Sequence, residues 1–147
     1  MPHDDLAVAA ITMHASRAAI WAALTEPPLI AQYMFGTEVT CEWTVGSPII
    51  YRGKWEGKTY EDHGTILEIR PGELLRSTHF SPSAGLPDVP ENYHALTWSI
   101  EVDDDDTTVT LTQDNNRDIE AAKRSADNWA QVLIGLKAVV ESGPTRE

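Results

Sequence analysis

The chain has 147 residues, 41% hydrophobic and 23% charged, with a formal net charge of −12. That length favours one domain with a real core, so the expected organisation is a single domain over residues 1–147. The acidic balance repels phosphate and argues against nucleic acid and anionic membranes, and no apolar run nears the roughly 18 residues that span a bilayer.

Leu6 to Met13 is a continuous apolar run suited to a strand. Ser16 can cap a short helix through Thr25, with apolar contacts from Ile20, Trp21, Ala23 and Leu24. Pro27 and Pro28 end it, and a second short helix fits Leu29 to Met34 before Gly36 breaks the pattern. From Thr37 the apolar period becomes two. Thr37 to Trp43 sets Val39, Cys41 and Trp43 on one face; after a turn at Gly46-Ser47-Pro48, Ile49, Tyr51, Gly53 and Trp55 share another. Glu56-Gly57-Lys58 turns the chain into a longer strand, Tyr60 to Ile69, where Gly64 marks a bulge or a close approach of backbone. Pro71-Gly72-Glu73 leads into Leu75, Ser77 and His79.

Ser81 to Asn92 carries three prolines and one glycine. Loops of this length usually have a job, and this one is read as a lid or rim. Leu96, Trp98, Ile100 and Val102 then alternate with Thr97, Ser99 and Glu101, as do Val109, Leu111 and Gln113 with Thr108, Thr110 and Thr112. That pattern is an antiparallel pair wet on one side. Asp103 to Asp106 between them reads as a solvated turn, because consecutive aspartates lack the spacing of a calcium loop. Finally, Asp118 to Ser142 places Ala122, Ala126, Trp129, Leu133, Leu136 and Val140 in steps of four and three, one buried helical face. Asn115, Asn116 and Asp118 offer cap oxygens, and Gly143-Pro144 is the stop. Such a helix is about 37 Å long at ~1.5 Å per residue.

The order is strand, two short helices, about six strands and one long helix, an α+β chain. Antiparallel strands of this length curl. A curled sheet diverges from a straight helix on its far side, and that gap is the expected binding site.

Five stretches in this order carry a resemblance. They are Ala15-Ser16 with Ile20-Trp21-Ala22-Ala23-Leu24-Thr25-Glu26-Pro27; Val45-Gly46-Ser47 with Ile49-Ile50-Tyr51; Gly64 through Pro71 with Glu73-Leu74-Leu75; Leu96-Thr97-Trp98 with Thr108 through Thr112; and Asn128-Trp129 with Leu133 and Leu136-Lys137. Together they resemble the START-like (SRPBCC) superfamily, of the activator-of-heat-shock-chaperone-ATPase (AHSA) type, over nearly the whole chain. The resemblance implies a helix-grip fold, a curved antiparallel sheet wrapped around a long C-terminal helix and an apolar cavity. It implies no single chemistry, since co-chaperones, ligand carriers and polyketide cyclases share the fold. Two departures stand out. The co-chaperone that names the family has a further N-terminal domain not seen here, which turns the expectation away from chaperone stimulation. And His79 stands where relatives often place an aromatic.

The inward strand positions include Tyr51, Trp55, His79, Trp98 and Gln113, facing Asn128, Trp129 and Val132 of the helix. An aromatic box with a few polar groups is what a small-ligand site looks like, and also what a core looks like. His79 could move a proton, or sit neutral against a backbone carbonyl. Asp62 and His63 could join it around zinc only with matching facing and a third ligand, which is not evident, so no metal and no cofactor are expected. Cys41, the only cysteine, has no neighbouring histidine, and no phosphate-loop or nucleophile-elbow motif exists. With no internal disulfide and no visible signal peptide, a reducing cytoplasm is the expected compartment. Glu61 and Asp62 point to opposite faces of their strand. The expectation is a protein that binds a hydrophobic or aromatic small molecule, with hydrogen bonds from His79, Gln113 or Asn128 and the Ser81–Asn92 loop as gate. Alternatives are a cyclase- or hydrolase-like enzyme using His79, or an interaction module for a heat-shock chaperone; a homodimer through Thr37–Trp43 is left open.

Overall fold

The computed structural model describes residues 5–82, 85–103 and 106–141, apart from the side chains of Asp5 and Trp55. In chain order its elements are β1 (Asp5–Met13), α1 (Arg17–Thr25), α2 (Pro27–Tyr33), β2 (Glu38–Cys41), β3 (Pro48–Trp55), β4 (Lys58–Arg70), β5 (Leu74–His79), β6 (His94–Asp103), β7 (Asp106–Asn116) and α3 (Ile119–Glu141). The strands form one seven-stranded antiparallel sheet in the order β1-β7-β6-β5-β4-β3-β2. It curves around α3, which is the helix-grip arrangement.

Local chemistry sets most boundaries. The Ser16 hydroxyl accepts from Ala19 N at 3.0 Å and starts α1. Pro27 and Pro28 end that helix and also open α2, which therefore begins two residues before Leu29. Proline costs nothing in a first turn, where the N–H would lack a partner anyway. Asp118 Oδ1 accepts from Ala121 N at 2.8 Å and caps α3. Asn115 and Asn116 do not share that job: Asn115 Nδ2 donates to Glu91 O and Tyr93 O, and Asn116 is drawn into contacts with Gln113.

Glu56 and Gly57 both have positive φ, 53° and 81°, the two-residue turn that suits the twist of β3 and β4. At Gly64 an added Cβ would stand 1.7 Å from Thr78 O, so strands β4 and β5 meet there at a distance only glycine permits. The register shift lies further along, between Ile66 and Glu68. Asp103 pairs with Asp106 across the β6–β7 hairpin; residues 104–105 lie outside the described residues.

The core sits between the sheet and α3, with Ile20, Val109, Leu111, Leu133 and Leu136 almost fully buried. Along β1 the inward residues are small, Ala7 and Ala9, while Leu6 and Val8 are 52% and 51% exposed. Small inward side chains let α3 lie close against β1. Gly135 does the same for α2, since an added Cβ would come 3.2 Å from Tyr33 Cβ. Among the described residues, no helix is long and apolar enough to cross a membrane.

Candidate functional site

The β3–β4 register sets Tyr51 opposite Asp62, and β4–β5 sets Ile66 opposite Ser77 and His63 opposite Phe80. Period-two alternation then turns Tyr51, Asp62, Ser77 and His79 inward and His63 and Phe80 outward. The inner face does not close completely on the helix. A cavity of about 220 Å³ remains, lined by Tyr51, Tyr60, Asp62, His79, Leu96 and Trp98 from the sheet. Met34 and Thr37, between α2 and β2, and Trp129 of α3 complete its wall.

Each ring has a structural reason for its place. Tyr60 crosses over Gly53, where an added Cβ would lie 2.6 Å from its Oη, and it hydrogen-bonds the Thr37 hydroxyl. Trp98 and Trp129 meet edge to face, centroids 6.3 Å apart. Trp129 Nε1 donates to Gln113 Oε1 at 2.8 Å, and Gln113 Nε2 donates in turn to Asn116 Oδ1 and Ser125 Oγ. Tyr51 lies 5.5 Å from the His79 ring. Burial above all pushes the Tyr51 phenol well up from its ordinary pKa, against the lowering effect of a hydrogen bond with Ser77, so it stays neutral.

One charged group shares this space. Asp62 Oδ2 lies 3.3 Å from His79 Nε2, the two side chains being 18% and 20% exposed. Asp62 Oδ1 is buried and has no hydrogen-bond partner among the described residues. Among the described residues, no lysine or arginine lines the cavity. A buried carboxylate oxygen left bare is uncommon and calls for a reason.

Of the residues expected from the sequence, Tyr51, His79, Trp98 and Trp129 come together here. Trp55 ends β3, and its side chain lies outside the described residues. Gln113 holds Trp129 and spends both amide hydrogens within its own network. With Asn128 it lines a second, open groove of about 480 Å³, beside His94, Arg117 and Arg124. Val132 is buried in the core. Tyr60, Thr37, Met34 and Leu96 have no place in the ligand site expected from the sequence, and Asp62 figures there only as a partner of His79 around zinc. For Asp62 a signal existed: Tyr60, Asp62, Gly64 and Ile66 alternate, which puts a carboxylate on a buried face.

The outer face explains His63. Its Nε2 lies 3.3 Å from Asp88 Oδ2, and its ring meets Phe80 and Tyr93 edge on. It therefore cannot converge with His79, and no group of three metal-binding side chains occurs among the described residues. Asp88 also accepts from Tyr93 Oη at 2.6 Å; that hydrogen bond first, then burial and the carboxylate charge, pushes the phenol up to about 12. The Ser81–Asn92 loop is thus fastened to the outer face. Its Leu86, Glu91 and Asn92 border the second groove, and none of its described residues lines the aromatic cavity; residues 83–84 of the expected gate lie outside the described residues. Glu61 points outward to Arg52 at 2.8 Å, away from Asp62. Cys41 is half-buried beside Ser47.

Compared with known proteins, residues 14–141 match the family model described as Activator of Hsp90 ATPase homolog 1-like protein. No curated protein matches the chain. Among solved structures, ChR145 from Cytophaga hutchinsonii is 42% identical over 97% of each chain, with a TM-score of 0.84. DynU16, a protein of the dynemicin biosynthetic locus, is 18% identical with a TM-score of 0.78, over 95% of this chain and 48% of that one. The Aha1 dimer from Colwellia psychrerythraea is 21% identical over 95% of this chain and 98% of that one, with a TM-score of 0.71. The last two likenesses are of fold.

Proposed function

The chain belongs to the Activator of Hsp90 ATPase homolog 1-like family, and from that premise we propose that it binds a small, largely apolar or aromatic molecule between its sheet and α3. The observation that carries this reading is the cavity of about 220 Å³ walled by Tyr51, Tyr60, Trp98 and Trp129. A dry cavity of about 150 Å³ holds a benzene ring, so this one suits one or two rings with a polar substituent. His79 and Asp62 supply the polar contacts; Gln113 and Asn128, assigned to ligand contact from the sequence, belong to the neighbouring groove.

A thermal-shift and calorimetry screen over hydrophobic and aromatic metabolites tests it. A true ligand at about 100 times its Kd adds about 2.7 kcal/mol, a Tm rise of roughly 5–10 °C for a chain this size. A Met34→Trp variant, which puts an indole at the cavity wall, is expected to lose that rise. No hit, or hits that bind this variant equally well, ends the proposal.

The 3.3 Å approach of His79 to Asp62 favours a second reading, an enzyme of cyclase or hydrolase type with His79 as general acid or base and Asp62 orienting it. On any substrate found, His79→Ala is then expected to cut kcat by about 10²–10⁴-fold; full turnover in that variant removes the role. The family name makes a heat-shock chaperone a partner worth assaying. β2 leaves one sheet edge unpaired, which is where a second copy would add. A lone thiol and an acidic surface suit the cytoplasm.

A further inference from the structure

We infer that the molecule held in the aromatic cavity is a cation, an amine carried on a small apolar body. The inference rests on the small-molecule reading above and narrows its ligand class. It starts from Asp62. An ionised carboxylate offers about four acceptor sites on its two oxygens. His79 stands by Oδ2, and Oδ1 is buried and accepts from none of the described residues. A carboxylate so short of donors is costly to leave without a counter-charge, more so than a neutral acceptor.

The surroundings decide which guest satisfies it. With no lysine or arginine among the described residues of the wall, the cavity carries an acidic group beside which His79 is the one basic side chain described. The remaining wall includes four electron-rich rings, Tyr51, Tyr60, Trp98 and Trp129. Ring faces attract a cation and disfavour an anion, and the attraction grows when water is excluded.

Three ligand classes can be compared on that basis. An anion would meet the Asp62 oxygen and the ring faces with the wrong sign, and the net charge of −12 would slow its approach. A neutral hydrocarbon would fill the space but leave the carboxylate with no partner beyond His79. An ammonium pairs with the Asp62 carboxylate, through the part of the side chain that opens on the cavity, and lays its apolar body against the rings. The second groove makes the contrast: two arginines, Arg117 and Arg124, stand on its wall against one carboxylate, Glu91.

Three molecules of matched size separate these cases: phenethylamine, phenethyl alcohol and hydrocinnamate, each titrated by calorimetry into the wild type and into Asp62→Asn. The wild type is expected to bind the amine at least about tenfold more tightly than the alcohol, with hydrocinnamate weakest. Asp62→Asn is expected to weaken amine binding by roughly 10- to 100-fold, the range for losing a hydrogen bond to a charged group, and to leave alcohol binding nearly unchanged. Equal or tighter binding of the alcohol or the acid by the wild type overturns the inference even if the variant does not fold. So does an amine preference that survives Asp62→Asn. If the broad screen gives ligands but none is favoured by positive charge, the cation is wrong and the small-molecule reading stands; if the screen gives no ligand, both fall.

Discussion

Gly64→Ala is expected to cost ~3 kcal/mol or more, among the larger effects a single methyl can have. The added Cβ would stand 1.7 Å from Thr78 O and 2.5 Å from the carbonyl carbon. Both are backbone atoms in the middle of a paired sheet, so no side chain can swing away to relieve the overlap. Strands β4 and β5 must move apart, and their separation disturbs the neighbouring Thr65 N to Thr78 Oγ1 hydrogen bond and the His63–Phe80 bridge. The inner residues Asp62 and His79 flank this point, so the change is expected to lengthen their 3.3 Å contact as well as lower Tm. Urea unfolding is the check: a loss under about 1 kcal/mol would mean the strands yield more easily than close-packed backbone should.

The second large effect is at Trp98, which is buried near the middle of β6 and faces both the core and the cavity. Trp98→Ala is expected to lose about 3–5 kcal/mol, the usual cost of removing a buried indole whose space cannot collapse. The same change removes the edge-to-face partner of Trp129. Guests that bind through the rings are therefore expected to weaken more in Trp98→Ala than in Trp98→Phe, which keeps an aromatic wall and costs less stability. Chemical denaturation with parallel calorimetry separates the two quantities. Equal stability in both variants would show that the indole does not help to hold up the wall.

The long helix was legible because its evidence is self-contained: Ala122, Leu133 and Leu136 declare a face at helical spacing without reference to any other element. The strand alternations were legible for the same reason, and so were Tyr51, His79, Trp98 and Trp129 as inward residues. What escaped notice depends on partners distant in sequence. The alternation of its own strand marks Asp62 as inward, but that it meets Tyr51 and His79 there depends on pairings not written in any one strand. Gln113 has the look of a ligand contact until Trp129, sixteen residues on, takes its oxygen. The proline-rich loop had the right length for a lid, but Asp88 finds His63 on the outer face and holds it there. Pro27 and Pro28 are a stop for α1 and equally a start for α2, because the first turn of a helix is indifferent to a missing donor.

The hydrogen bond from the Trp129 indole to Gln113 ties the two hollows together. Trp129 lines the ring-walled one and Gln113 the groove that carries Arg117 and Arg124, so one donor–acceptor pair has an end in each wall. A substitution made at Gln113 in the groove frees the indole to turn, and is expected to alter the fit of the ring-walled hollow as well.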